Sequence, residues 1–553
     1  MLLKQKKFWA ILLLSSVATA GTAKLLGGNR QVSSSEIVGT NLAPVNYYSS
    51  QFPFLNMFKS SNRWITQDRG VWNTEEEELL DLDAHGWVKS LPSDRSTQRY
   101  SEVGTLLFRE HIVHQPGTYI VLYEGEGTIK YNFDGAKDLE LSTPGRDVVE
   151  IDEPTKEGLW MSIAATDPQG TGNYLRNIQV VPAAYERLAV SQIFNPLFMG
   201  KIQPFGILRF MDWQETNNSV QQEWSERPRA SDVRYFELGV PVEIMVELAN
   251  QTQSDPWFTM PHQASDEYIT EFAKYVQEHL DPDLKIYLEY SNETWNWRFE
   301  QTKWIDRQAK QQWGQDSPLD KVDWYSQRTT EIIQIWEQVF AENEERVIGI
   351  MAGQAANVRL LEQALEYSWD DTGMSHKEAG IDAIAIAPYF GNYLGSPENR
   401  TELLSWTKAP DGGKSKLFQE LTEGGLVTNS PEGGALARAY RDIAAHVELA
   451  ELEELELYAY EGGQHLVATG GVENDEAIIE LFIAANRDRQ MGQIYREYLT
   501  KWFNLGGDMF INFNDIEKSR KWGSWGALES VYQDGSPKYD AVIDFIDDFE
   551  REQ

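Results

Sequence analysis

The feature that most limits how this chain can fold is an alternation, repeated along most of its length, of short apolar runs with longer amphipathic stretches. The short runs predict strands at 37–45, 206–213 (GILRFMDW), 255–261 (DPWFTMP), 285–292 (KIYLEYSN), 346–354, 382–390, 456–463 (ELYAYEGG) and 508–515 (DMFINFND). Helical spacing follows at 241–250, 265–280, 325–340, 435–452 and 491–503. Eight strands alternating with helices fit a closed parallel barrel, a (β/α)8 or TIM barrel, better than an open sheet.

One interval breaks the pattern. Between the first two strands, TLLF (105–108), GTYIVLY (117–123), GTIKY (127–131) and LWMSI (159–163) are separated by Gly, Pro and Asp turns. This spacing predicts a β-sandwich-like domain inserted after the first strand, beside the barrel mouth. The organisation read from the chain is a signal peptide at 1–23, a linker at 24–36, the barrel start at 37–70, the insert at 71–185 and the rest of the barrel at 186–553. The insert suits a carbohydrate-binding module or a structural brace.

Lys4, Lys6 and Lys7 precede an apolar run from Phe8 to Val17 and the small residues Ala18-Thr19-Ala20. That order is a secretory signal and predicts an extracellular or periplasmic protein, the signal being cleaved or kept as an N-terminal anchor. After cleavage no membrane association is expected. The chain has no Cys, which rules out disulfides and thiolate chemistry. A formal net charge of −37 repels phosphate backbones, so nucleic acid is excluded as a partner. Walker, dinucleotide-glycine, HExxH and GxSxG motifs are absent, and the His residues are scattered, so neither a metal nor any other cofactor is expected. Nothing in the sequence fixes the oligomeric state.

Two Glu residues stand directly after apolar strands: Glu293 in Ser291-Asn292-Glu293 and Glu461 in Tyr460-Glu461-Gly462. An unpaired carboxylate is costly to bury, so each belongs at the C-terminal rim of its strand, where both can meet in one cleft. Glycosidic cleavage needs such a pair, one to protonate the leaving oxygen and one to attack the anomeric carbon or activate water. The 19 Trp add flat apolar surface of the kind sugar rings stack on.

The layout, with Asn-Glu after strand four and Glu after strand seven, resembles glycoside hydrolase clan A, the retaining 4/7 superfamily. The runs SNETWNW, FMDWQETNNS and WFTMPHQ are similar to a group of bacterial secreted proteins, some described as cellulose-binding. The resemblance implies Glu293 as acid/base, Glu461 as nucleophile, and Asn292 as a partner of the sugar 2-hydroxyl. Arg209 would lie beside the nucleophile and keep its pKa low, Tyr389 would hydrogen-bond it, and His262 would contact sugar or anchor a loop. Trp522 and Trp295 would be stacking platforms, with Trp213, Trp257, Trp297 and Trp525 also placed around the rim or in the core. The expected function is a secreted retaining glycosidase acting on a polysaccharide or oligosaccharide. The alternative is a non-catalytic carbohydrate-binding protein on the same barrel. Because Asn292-Glu293-Thr294 is a glycosylation sequon across the site, a bacterial export route fits best.

Overall fold

The computed structural model describes residues 38–93, 98–110, 114–314, 319–367 and 374–552. The signal and linker at 1–36 lie outside them. Among the described residues no helix is long and apolar enough to cross a membrane.

Eight parallel strands close into a barrel: β1 (Val38–Asn41), β2 (Ile207–Arg209), β3 (Asp255–Met260), β4 (Ile286–Tyr290), β5 (Val347–Ala352), β6 (Ala383–Ile386), β7 (Glu456–Ala459) and β8 (Met509–Asn512). Each falls inside an apolar run predicted as a strand. Closure occurs at β1, where Gly39 is level with Ile207 of β2 on one side and Ile511 of β8 on the other. A side chain at Gly39 would start 2.6 Å from both the Ile207 carbonyl oxygen and the Ile511 side chain, so the seam accepts only glycine without displacement.

Alternate residues along the strands fill the barrel. Ile207, Trp257, Tyr287, Ile350, Ala385, Tyr458 and Ile511 belong to one inner apolar cluster. The larger cluster, between strands and helices, takes residues of the opposite parity such as Leu208, Phe258, Leu288, Ile384 and Leu457. Amphipathic helices cover the outside, including Val242–Thr252, Asp266–His279, Asp320–Phe340, Gly434–Glu453 and Arg489–Leu505.

The chain between β1 and β2 forms two four-stranded antiparallel sheets. One is ordered Ile65–Gln67, Glu102–Leu107, Leu159–Thr166, Gly127–Phe133; the other Arg176–Pro182, Gly117–Glu124, Arg146–Ile151, Ala136–Thr143. Val103, Ile129 and Met161 of the first sheet share a buried cluster with Val121, Val149 and Val180 of the second, as in a sandwich. The first sheet includes Ile65–Gln67, upstream of residue 71.

Candidate active site

At the C-terminal ends of the strands a buried guanidinium ties several polar groups together. Arg209, the last residue of β2, has no exposed surface. Its Nη1 donates to Glu461 Oε1 at 2.9 Å and to Asn41 Oδ1 at 3.0 Å. Nη2 donates to Glu289 Oε2 at 2.8 Å and to Asn292 Oδ1 at 2.9 Å, and Nε reaches the same Glu289 oxygen at 3.1 Å. The faces of Trp257 and Tyr460 lie 5.6 and 5.0 Å from the guanidinium carbon. Burial opposes the charge on Arg209, but Glu289 and Glu461 outweigh it and hold its proton above the ordinary value.

Glu461 accepts a second hydrogen bond, on Oε2, from the Tyr389 hydroxyl at 2.9 Å. Burial nevertheless pushes the carboxyl above its usual range, against the pull of Arg209 and Tyr389. This corrects the expectation of a low pKa. The single positive charge of Arg209 is shared with Glu289, which also accepts from Trp257 Nε1 at 2.9 Å. Burial likewise raises Glu289 despite its partners.

Glu293 is held differently. It follows β4 in a turn where Ser291 (φ 61°) and Glu293 (φ 41°) are both left-handed, a conformation that costs roughly 1 kcal/mol or more for such residues. The turn is fixed by the Asn296 N–H to Glu293 carbonyl bond at 2.8 Å and by Thr302, whose hydroxyl donates to the Asn296 carbonyl at 2.8 Å. Among the described residues the Glu293 carboxyl accepts only from a neutral amide, Asn296 Nδ2 to Oε2 at 2.8 Å. Burial and then the charge of Glu461 lift it to about 7. A fourth carboxyl, Asp212, is raised well above its ordinary value by burial and then by Glu461.

Asn292 is locked between Arg209 and Asn217, donating from Nδ2 to Asn217 Oδ1 at 3.1 Å. Gln301 braces both, donating to Asn217 Oδ1 at 2.7 Å and to the Asn292 carbonyl at 2.8 Å. His262 lies apart from this network. Its ring meets Trp304 edge-on at 5.5 Å, neither nitrogen has a hydrogen-bond partner among the described residues, and burial pulls it down to about 4.

Of the tryptophans, Trp213 is in the core against Phe54, Phe198 and Phe210, and Trp257 lies inside the barrel. Trp522 is 56% exposed with Lys521 over its ring at 4.6 Å, and Trp297 is 55% exposed with Lys321 at 4.4 Å. Trp525 packs edge-on to Tyr389 at 5.8 Å and to His465 at 5.0 Å. Buried Lys538 fixes the Trp525 loop by donating to the carbonyls of Ser524 (2.8 Å) and Trp525 (3.2 Å). Trp295, Glu293 and Tyr389 line a cavity of about 210 Å³ that continues past Gln354 to Arg438 and Asp442.

Sequence reasoning passed over Glu289, Asn41, Asn217, Asn296 and His465. Glu289 carried a usable signal: a carboxylate inside the apolar run IYLEY needs a buried partner, and Arg209 is a cation inside the apolar run of β2.

No protein-family model matches the chain, and no curated protein matches it. Solved structures do. Its structural neighbours include GH5 and GH53 enzymes. A Bacteroidetes-affiliated GH5 cellulase linked with a polysaccharide utilization locus is 10% identical, over 65% of this chain and 85% of its own, with a TM-score of 0.38. A GH5-4 broad specificity endoglucanase from Clostridium acetobutylicum is 11% identical over 66% of this chain and 93% of its own, with a TM-score of 0.33. An Ignisphaera aggregans GH53 catalytic domain is 10% identical over 65% and 89%, with a TM-score of 0.32. Likenesses of this size say nothing of chemistry, so the site must be read from its own geometry.

Proposed function

We propose that the chain is a retaining glycosidase of polysaccharides or oligosaccharides, exported by its N-terminal signal, with Glu461 as nucleophile and Glu293 as acid/base. The observation that carries this reading is the opposite treatment of two carboxyls whose charges feel each other. Glu461 accepts from a guanidinium and a phenol, so it is the first of the pair to ionise. Glu293, with a neutral amide and the Glu461 charge beside it, keeps its proton to about 7.

In the proposed reaction Glu461 forms a bond to the anomeric carbon while the bond to the leaving oxygen breaks. Glu293 gives its proton to that oxygen. Water then attacks the glycosyl ester, passes a proton to Glu293 and releases Glu461 as carboxylate. Asn292, already turned by Arg209 and Asn217, would meet the sugar 2-hydroxyl, and exposed Trp522 would stack on a ring.

The test is a panel of plant, algal and bacterial polysaccharides offered to the purified chain and to Glu461→Ala. Release of sugar by the parent, reduced on the order of ten-thousand-fold in the variant, is expected. Proton NMR of the first-formed anomer should show retention. Equal release by both proteins would sink the assignment, and binding without release, equal in both, would favour the carbohydrate-binding reading.

A further inference from the structure

The cavity beside Glu293 has chemistry that the reaction does not consume. Its lining holds Glu293, Trp295 and Tyr389 but neither Arg209 nor Asn292, and the helix Gly434–Glu453 adds Arg438 and Asp442 to it. A general acid stands next to the oxygen it protonates, so the cavity that Glu293 lines is within reach of the sugar that departs.

Arg438 makes no hydrogen bond to a described residue. Its one ion pair among the described residues is with Asp442, a turn along the same helix, at 4.0 Å from Nε. With side chains 43% and 31% exposed, a pair at that distance leaves the guanidinium's two outer nitrogens uncommitted. Their planar fork matches the paired oxygens of a carboxylate or a sulfate. A second cation acts on another residue of the lining. Arg298, whose side chain has no ion pair or hydrogen bond among the described residues, bears on His465, itself part of the cavity lining. Burial and Arg298 together hold that imidazole at about 4, so it is neutral near pH 7.

We propose that Arg438 recognises an anionic leaving-group sugar, one carrying a carboxylate or a sulfate. This rests on the reading of Glu293 as general acid. Glu293 is protonated when it acts, so it does not repel such a sugar. The net charge of −37 repels an anion at long range, and selectivity must therefore come from short, paired hydrogen bonds, which a guanidinium fork supplies.

The experiment uses the full mature chain carrying Glu461→Gln. Calorimetry compares uronate-bearing oligosaccharides (from glucuronoxylan and polygalacturonate), sulfated ones (from carrageenan) and neutral xylo- and gluco-oligosaccharides of equal length. One anionic class is expected to bind at least tenfold more tightly than the neutral sugars, and which class does so tells carboxylate from sulfate. Arg438→Met should reduce that class to the neutral level, Arg438→Lys should recover part of it, and unchanged thermal unfolding would exclude misfolding. In the catalytically intact chain, Arg438→Met should raise KM for the anionic substrate far more than it lowers kcat. Equal binding of anionic and neutral sugars, or anionic binding indifferent to Arg438→Met, overturns the proposal. The two readings fail separately. Glu461-dependent release of neutral sugars alone keeps the glycosidase and removes anion recognition. Arg438-dependent anion binding without any Glu461-dependent release keeps the anion site and removes the glycosidase.

Discussion

Glu461 and Glu293 follow β7 and β4, with two strands between them on one rim, yet one is embedded and the other is perched. Glu461 sits 5% exposed over the barrel interior, fixed by a charge-assisted bond from Arg209 and a phenolic bond from Tyr389. Glu293 rides a left-handed turn at the cavity edge with a single amide partner. Burial raises both. What differs is the compensation: a guanidinium and a hydroxyl that favour the ionised form of Glu461, against an amide for Glu293. Two identical side chains are thus given different surroundings, and the buried side of the site depends on one cation serving two carboxylates.

Breaking that cation should have the largest effect. Arg209→Leu leaves Glu289 and Glu461 buried without a counter-charge, and a loss of about 3–5 kcal/mol in urea unfolding is expected. Adding Glu289→Leu should restore part of the stability; a loss below about 1 kcal/mol in the single variant would mean that the network does not hold the floor together. Tyr389→Phe removes one hydrogen bond to a charged group, for which a kcat loss of about 10- to 100-fold is expected. Its acid limb should move to higher pH, because Glu461 then holds its proton more tightly. An unmoved acid limb would deny Tyr389 that role.

Glu293 offers the converse test. Folded, it keeps its proton to about 7, whereas unfolded Glu loses it near its ordinary value, so its contribution to stability is present in acid and lost as pH rises through 7. Glu293→Gln should therefore gain stability over the parent by about 1–3 kcal/mol between pH 5 and pH 8, and a pH-independent difference would contradict this. The parent's kcat/KM should fall above about 7 for the same reason. The smallest effect belongs to Asn296→Ala: with the amide gone, that alkaline limb should shift upward by less than about 1 unit. A downward shift would show that Asn296 supports the protonated form instead.

The barrel strands were legible because each is a short apolar run, and burying such a run on both faces leaves little choice but a parallel strand. Glu293 and Glu461 were legible because a charge ending such a run is costly to bury without a partner. Glu289 was not singled out, since its side chain lies inside an apolar strand and its meaning depends on where Arg209, 80 residues earlier, comes to rest. His262 illustrates the reverse. It follows β3 as a site residue would, and packs on Trp304 instead. Arg438 had no motif at all, being one charge on an amphipathic helix.

Hydrophobic periodicity is local in the chain, so the sequence by itself determined the strands, the helices, the position of the β-rich insert and the two rim carboxyls. The side-chain partners that tell Glu461 from Glu293 come from six different strands and loops. Only closure of the barrel brings Asn41, Arg209, Glu289, Asn292, Tyr389 and Glu461 within hydrogen-bond reach, and only that reach, with the loss of water around it, decides which carboxyl holds a charge and which holds a proton.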